Sequence, residues 1–389
     1  MSYWFKITRR TRTQLAVWIG ATLIAATPAT SSAQPSISAP RWELSATPVT
    51  VIADDGSDAT QWRRLVGAVR LPNGDVLVGD MGTGVHRFAP DGRHIKLELR
   101  RGNGPLELPD VSALAPWGAG GVVTTANEYV TLGVPLPVKG GFTTGGGPPS
   151  GSLDAVFLDS SLLQLRSRWF ELAPPTRVVR DSATLVVRAA RAGVDTIARL
   201  PNATGLVLAS AALSRGIGYG LVDGAPQLRV TGRDSVVWFG STDSDYLHRV
   251  SIRDGRALTP QRVSLPLPAV AWSEPRRTAW AAFAVDSAQR PDTKVIAEAA
   301  WKRESLPPRA PRFRALVSDV RGGVWVERYP DRPSMPSSWL VVNAADRVVG
   351  QVTLPRVGRL PHVDTAHIVV GERDENDVER VAVYALKRK

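Results

Sequence analysis

The chain has 389 residues, a formal net charge of +12 and no cysteine. The absence of cysteine excludes disulfides, zinc–thiolate sites and thiol nucleophiles. A basic chain invites comparison with nucleic-acid-binding proteins, but its 48 basic residues are scattered among 36 acidic ones rather than gathered into a stripe. We therefore expect no nucleic-acid partner.

The first residues have the order of features that is typical of a secretory signal peptide. A basic segment precedes an apolar run over 15–26, and small residues follow up to Ala33. The apolar run is shorter than the ~20 residues needed to cross a bilayer. The pattern predicts a signal peptide over 1–33, a periplasmic or secreted mature chain, and no membrane span after cleavage. Arg9 and Arg10 leave open whether export is general or twin-arginine.

Three segments of the remaining chain, 34–389, share one plan of four short strands. Each strand is a run of β-branched and aromatic residues bounded by Gly, Pro, Asn or Asp. Four such strands, repeated every ~40–50 residues, are the period of a propeller blade. The predicted strands are Trp62–Leu71, Val76–Asp80, Val85–Phe88 and His94–Leu99, then Gln227–Val230, Val236–Gly240, Tyr246–Ile252 and Arg262–Leu265, and finally Phe313–Ser318, Val324–Glu327, Trp339–Val342 and Val349–Leu354.

Weaker units fit between and after these three. Val111–Val134 and Asp154–Leu200 are the predicted second and third blades, and His367–Asp374 with Val378–Leu386 makes half of a last one. The N-terminal run Trp42–Ala53 can supply the missing strands, which leaves no unpaired central edge. The sequence predicts one all-β domain, a six-bladed β-propeller closed by pairing of its N- and C-terminal strands.

One segment, Trp272–Leu306, departs from the strand pattern and predicts a helical insert between the fourth and fifth blades. Ser273 and Pro275 are helix start signals, and Trp280 and Phe283 have helical spacing. The insert could cover a blade edge or act as a lid over the channel.

The motifs Leu71-Pro72-Asn73-Gly74-Asp75 and Phe88-Ala89-Pro90-Asp91-Gly92 resemble those of exported bacterial six-bladed propellers of the NHL-like and TolB-like group. Arg101-Gly102-Asn103-Gly104-Pro105-Leu106-Glu107-Leu108 is similar to a Gly-x-Gly-Pro-Gly-Glu-Phe segment of that group, with Leu106 in place of its last glycine and Leu108 in place of phenylalanine. The resemblance implies a fold. It does not choose a function, because related propellers include lactonases, a lyase and binding modules.

Propeller geometry predicts which turns form a ligand-binding rim. Connections from one blade to the next, and from the second to the third strand within a blade, emerge on the face where propeller ligands usually sit. The candidate ligand-binding residues in such turns are Asp80, Arg101, Asn103, Glu107, Asp243 and Asp245. The alternative is that the three aspartates only cap tight turns.

Neither a catalytic residue nor a metal ligand set is predicted. The acidic run Glu372–Asp377 lacks the alternation and glycine of a calcium loop, and we expect it to join a first to a second strand on the opposite face. His86, His94 and His248 fall in outer strands, so only His362 and His367 are expected near the axis.

These observations favour an exported, monomeric, non-catalytic propeller that binds a protein, peptide or glycan of the cell envelope and needs no cofactor. The alternative is a metal-dependent hydrolase or lyase of the lactonase type, with a divalent cation in the channel. The family resemblance alone motivates that alternative.

Overall fold

The computed structural model describes residues 39–53, 60–104, 107–124, 128–132, 139–141, 155–158, 161–167, 176–189, 193–213, 217–221, 224–254, 256–288, 290–302, 305–374 and 378–388. These residues belong to one unit of contacts that spans Ile37–Lys389. The predicted signal peptide, 1–33, lies outside the described residues.

Antiparallel sheets dominate the fold, and strands that follow each other in sequence are paired within each sheet. Two short strands, β1 (Glu43–Leu44) and β2 (Thr50–Ile52), precede the first complete sheet. That sheet contains β3 (Leu65–Arg70), β4 (Val76–Asp80), β5 (Gly84–Phe88) and β6 (His94–Arg100). The next contains β7 (Ala113–Trp117), β8 (Gly120–Thr124), β9 (Glu128–Leu132) and β10 (Lys139–Gly141).

The remaining sheets follow the same plan with additions. A five-stranded sheet contains β11 (Ala155–Leu158), β12 (Ser161–Ser167), β13 (Arg177–Ala189), β14 (Gly193–Ala209) and β15 (Ile217–Leu221). Another contains β16 (Leu228–Arg233), β17 (Val236–Ser241), β18 (Tyr246–Arg253), β19 (Arg256–Ala257) and β20 (Gln261–Ser264). The small pair β21 (Val270–Ala271) and β22 (Arg309–Ala310) precedes β23 (Phe313–Ser318), β24 (Val324–Arg328), β25 (Ser338–Val342) and β26 (Val348–Thr353). The last strands are β27 (Gly358–Val363), β28 (His367–Arg373) and β29 (Glu379–Lys387).

The hydrophobic core lies between neighbouring sheets rather than inside one of them. Val76 and Val78 of β4 pack with Val369 of β28 and Val383 of β29 in one such layer. Trp238 of β17 and Trp325 of β24 are fully buried, as expected for second strands covered on both faces. This packing of sheet against sheet, together with the strand order, makes the described part of the chain a β-propeller with two short helices.

The first strands of successive sheets contact each other: β3 with β7, β7 with β11, β11 with β16, β16 with β23, β23 with β27, and β27 with β3. Hereafter the upper rim is the edge where first strands begin and second strands end. The lower rim is the opposite edge.

The predicted pairing of the two chain ends is confirmed. Glu43 of β1 is paired with Lys387 of β29, and Thr50 of β2 is paired with Val383 of the same strand. The N-terminal strands therefore supply the outer edge of the sheet that begins with β27.

The helical insert is also confirmed. It contains α1 (Glu274–Asp286) and α2 (Pro291–Ala300). Ser273 is the N-cap of α1, and its hydroxyl accepts a hydrogen bond from the Arg276 N–H at 3.4 Å. The side-chain oxygen of an N-cap satisfies a donor that has no partner inside the helix.

The last sheet differs from the sequence prediction. Its first strand, β27, was not predicted, because Pro361 interrupts the strand pattern and the pairing shifts register between Arg359 and His362. As a result β28 is a second strand. The acidic run Glu372–Asp377 therefore begins in the last residues of a second strand, at the upper rim. The prediction that it joins a first to a second strand on the opposite face was wrong. Residues 375–377 of that run lie outside the described residues.

Candidate functional site

Asp80 lies at the end of β4 and is fully buried at the upper rim. Its Oδ1 accepts a hydrogen bond from the Arg64 N–H at 2.7 Å. Its Oδ2 accepts hydrogen bonds from the Gly82 N–H at 2.8 Å, the Thr83 N–H at 2.8 Å and the Thr83 hydroxyl at 3.0 Å. The carboxylate thus holds the turn between β4 and β5, which is the capping role considered for it from the sequence.

Arg101, Asn103 and Glu107 belong to the connection from β6 to β7. The exposed Arg101 donates from Nε to the Pro109 carbonyl at 2.7 Å, and Asn103 is exposed. Glu107 is half-buried, and its Oε2 accepts a hydrogen bond from the Gly104 N–H at 2.9 Å. Its carboxylate also lies against Gly102.

Asp243 and Asp245 lie in the turn between β17 and β18, and both are exposed. The Asp243 carboxylate accepts a hydrogen bond from the Ser241 hydroxyl. Asp245 Oδ1 lies 3.6 Å from Arg262, an exposed pair. The sequence-derived candidates therefore occupy three separate turns of the upper rim. Their contact with a ligand stays a prediction.

A group that the sequence analysis missed lies between these turns. The arginine cluster, as defined here, consists of one arginine at or just before the start of each of four first strands. Its members are Arg64 before β3, Arg229 in β16, Arg314 in β23 and Arg359 in β27. Two members share a local pattern, an apolar residue followed by arginine in Leu228-Arg229 and Phe313-Arg314, but Arg64 follows Arg63 and Arg359 follows Gly358, so no local signal marks the whole group. The fold thus gathers arginines that look scattered along the chain.

The members of the cluster are close enough to affect one another. Burial lowers the pKa of the Arg359 guanidinium, and the positive charges of Arg314 and Arg64 lower it further, against a smaller opposing effect of Glu379. Arg359 is nevertheless exposed to solvent.

Two cluster members are held in place by neighbouring groups. Arg229 donates from Nε to the Arg314 carbonyl at 2.8 Å and from a terminal nitrogen to the Gln227 amide oxygen at 2.5 Å. The Arg314 guanidinium lies 5.8 Å from the centre of the Trp280 ring, within the range of a cation–π contact. Such supports fix charged groups before a ligand arrives.

Glu327, at the upper end of β24, lies beneath the cluster and is buried. Its Oε1 accepts a hydrogen bond from the Ser337 hydroxyl at 2.6 Å and lies 3.9 Å from Arg314. Burial raises the pKa of this carboxyl, while Arg314, the Ser337 hydrogen bond, Arg359 and Arg229 each act in the opposite direction. Glu327 and Glu379 are two carboxylates against four arginines, which leaves the cluster with excess positive charge.

The helical insert packs beside the cluster. The buried Arg276 of α1 donates to the carbonyls of Tyr329 and Pro330 at 3.2 and 3.1 Å, in the turn that follows β24. Trp280 donates from Nε1 to the same Pro330 carbonyl at 3.3 Å and stacks on Trp301 with a centroid distance of 6.0 Å. Because Trp280 also contacts Arg314, the insert is joined to the rim at the cluster itself.

The two histidines that were expected near the axis, His362 and His367, lie at the lower rim. His362 of β27 is buried, and neither of its ring nitrogens has a hydrogen-bond partner among the described residues. Burial lowers the pKa of His362 to about 3, with a further lowering by Arg233. His367 belongs to the second strand, β28, and its Nδ1 lies 3.4 Å from Asp364 Oδ1.

Two negative findings concern the described part of the chain alone. Its His, Asp and Glu side chains include no group of three or more that could hold a metal ion. None of its helices is both long enough and apolar enough to cross a membrane.

Comparison with known proteins identifies no family. Neither a family model nor a curated protein matches the chain. Among solved structures, a DUF4221 family member from Bacteroides vulgatus is 12% identical, with a TM-score of 0.45, over 90% of this chain and 99% of its own. The Neurospora crassa Pan2 WD40 domain is 9% identical, with a TM-score of 0.39, over 90% of this chain and 96% of its own. At these identities and TM-scores, neither similarity says anything about activity or partners.

Proposed function

We propose that the chain is an exported, monomeric, non-catalytic binding protein that holds a carboxylate-bearing segment of an envelope peptide, protein or glycan at the arginine cluster. The observation that carries this proposal is the convergence of Arg64, Arg229, Arg314 and Arg359 at the upper rim with excess positive charge. Arginine is suited to carboxylates because its planar guanidinium can donate two parallel hydrogen bonds.

We further propose six blades and membership of the NHL-like and TolB-like group. The six first strands that contact one another in turn support the blade count. The Pro-Asn-Gly and Pro-Asp-Gly turns quoted above support the group. With this geometry, Arg101 and Asn103 on the same rim would lie beside a ligand that extends beyond the cluster.

Binding of two acidic polymers tests the proposed function. Poly-L-glutamate represents an acidic peptide and polygalacturonate an acidic glycan, and dextran is the uncharged control. We expect calorimetry to detect binding of at least one acidic polymer and none of dextran. The affinity should fall as salt rises from ~0.05 to ~0.5 M, since salt screens charges at an exposed rim.

Charge reversal locates the binding. Arg64→Glu and Arg359→Glu change exposed members of the cluster, and Arg256→Glu makes the same change on the outer strand β19. We expect each cluster variant to weaken polymer binding about tenfold or more and Arg256→Glu to leave it unchanged. Equal losses in all three variants would show that net charge alone attracts the polymer, and the site assignment would then be wrong.

A further inference from the structure

The buried acid beneath the arginine cluster shares its hydroxyl partner with a second acceptor. Ser337 Oγ lies 2.6 Å from Glu327 Oε1 and 3.4 Å from the carbonyl oxygen of Gly358. Both Glu327 and Ser337 are buried. Gly358 immediately precedes Arg359 in the chain. One hydroxyl therefore links the acid to the strand that carries a cluster arginine.

This arrangement suits both protonation states of Glu327. A serine hydroxyl has one hydrogen to donate and can also accept. When Glu327 is ionised, Ser337 donates to its Oε1. When Glu327 is protonated, its O–H can donate to Ser337 Oγ, and the serine hydrogen can turn to the Gly358 carbonyl. Gain or loss of the proton thus requires the rotation of one hydroxyl, and it leaves neither hydroxyl donor unpaired in the protein interior.

The arginines around Glu327 determine whether it keeps its charge. Burial favours the neutral form of a carboxyl, and nearby positive charge favours the ionised form. A terminal nitrogen of Arg314 lies 3.9 Å from Glu327 Oε1. The charged groups that act on it come from three first strands and are Arg314 of β23, Arg359 of β27 and Arg229 of β16. Anything that cancels these positive charges therefore favours protonation.

We propose that an anion held at the arginine cluster causes Glu327 to take up a proton from solvent, so that ligand binding and protonation are coupled. The inference rests on the proposed function, since it requires an anion beside these arginines. The coupling is reciprocal, because a proton on Glu327 strengthens anion binding by the same factor as the anion strengthens proton binding. The site therefore holds acidic ligands more tightly as the pH falls.

Calorimetry with dextran sulfate tests the coupling, and dextran is the uncharged control. Sulfate esters stay ionised over the whole pH range used, so a proton that is taken up belongs to the protein. Titrations in two buffers of different ionisation enthalpy give the number of protons bound. Because burial raises the pKa of Glu327 above its ordinary value, the intact protein is titrated between about pH 5 and pH 8. We expect a maximal uptake of about half a proton per bound protein and about tenfold tighter binding at the acidic end.

NMR of the intact protein follows the acid directly. At a fixed pH within this range, the carboxyl carbon resonance of Glu327 should move toward its neutral position as dextran sulfate is added. In the protein without ligand, Arg314→Met removes one of the positive charges that an anion would offset. The pKa of Glu327 should therefore rise in that variant.

Matched variants identify the group that takes up the proton. Glu327→Gln keeps the shape and can still accept from Ser337, but it cannot be protonated in this range. Glu98→Gln makes the same change on the outer strand β6, where Glu98 pairs with Arg87 at 3.2 Å. We expect Glu327→Gln to remove most of the proton uptake and of the pH dependence, and Glu98→Gln to change neither.

Four results would overturn the coupling. They are no binding of dextran sulfate, binding without proton uptake, the same uptake in Glu327→Gln as in the intact protein, and a Glu327 resonance that does not respond to ligand. If poly-L-glutamate and polygalacturonate also fail to bind, the proposed function is wrong as well; if either binds, only the coupling is. The NMR titration does not require a variant, so a Glu327→Gln protein that fails to fold leaves the coupling testable.

Discussion

The polar side chains of the two rims differ in how much of their hydrogen-bonding capacity is already used. Asp80 and Asp319 are buried and accept several backbone hydrogen bonds each, so they hold turns. Arg359 is exposed beside other arginines, whereas the unpaired indole N–H of Trp42 is buried. Unused capacity that solvent reaches, as at Arg359, is what a ligand can satisfy, which is why the arginine cluster carries the proposed function.

His362 makes stability depend on pH. Its pKa is lowered to about 3 in the folded protein, mainly by burial, while the unfolded chain should titrate near 6.5. Between these values the unfolded state binds the extra proton, so stability is lost as pH falls below about 6.5. The expected loss between pH 7 and pH 5 is about 2 kcal/mol.

Urea unfolding at both pH values measures that loss, and His362→Phe is the matched variant. Phenylalanine fills a similar volume and cannot be protonated, so the drop in the free energy of unfolding should shrink by about 2 kcal/mol. An unchanged drop in the variant would assign the pH dependence to other groups.

At the scale of elements, Arg276 and Trp280 attach α1 to the turn that follows β24. Arg276 reaches the carbonyls of Tyr329 and Pro330, whereas the adjacent Arg277 pairs with Glu274 in its own helix. The insert is thereby attached to the turn beside Glu327 and the arginine cluster. Whether it covers an edge or acts as a lid depends on how readily this attachment opens.

We expect Arg276→Met to speed amide hydrogen exchange in α1 about tenfold or more, because a local opening no longer breaks two buried hydrogen bonds. Arg277→Met should change it little, since its partner is an exposed carboxylate within the helix. Exchange followed by mass spectrometry distinguishes them. Equal protection in the two variants would mean that packing of Trp280 alone holds the insert.

The elements that could be predicted from sequence are those with local signatures. Turn motifs such as Pro72-Asn73-Gly74 marked strand ends, and Ser273 with Pro275 marked the start of α1. The strand β27 was missed because Pro361 hides a strand whose identity depends on its pairing with β28. The arginine cluster was missed for a different reason. It is assembled from distant segments, and nothing local marks that convergence.

At the scale of the whole molecule, integrity depends on the pairing of β1 and β2 with β29. Without them β29 would present an open edge, and unpaired edges promote association between chains. A chain that begins after residue 53 should unfold at a lower temperature than one that begins at Ala39. It should also associate at micromolar concentration. Calorimetry and light scattering test both expectations. An equally stable, monodisperse shorter chain would show that closure is dispensable.

The seam, defined as the pairing of β1 and β2 with β29, also determines how the molecule responds to force. Glu43 and Lys387 are direct partners in antiparallel strands, so tension applied between these two residues acts at one end of the seam. Such a load breaks the hydrogen bonds one after another instead of straining all of them together. A propeller tethered at Glu43 and Lys387 would therefore open at low force, while tethers attached within two different sheets would meet the resistance of the packed core.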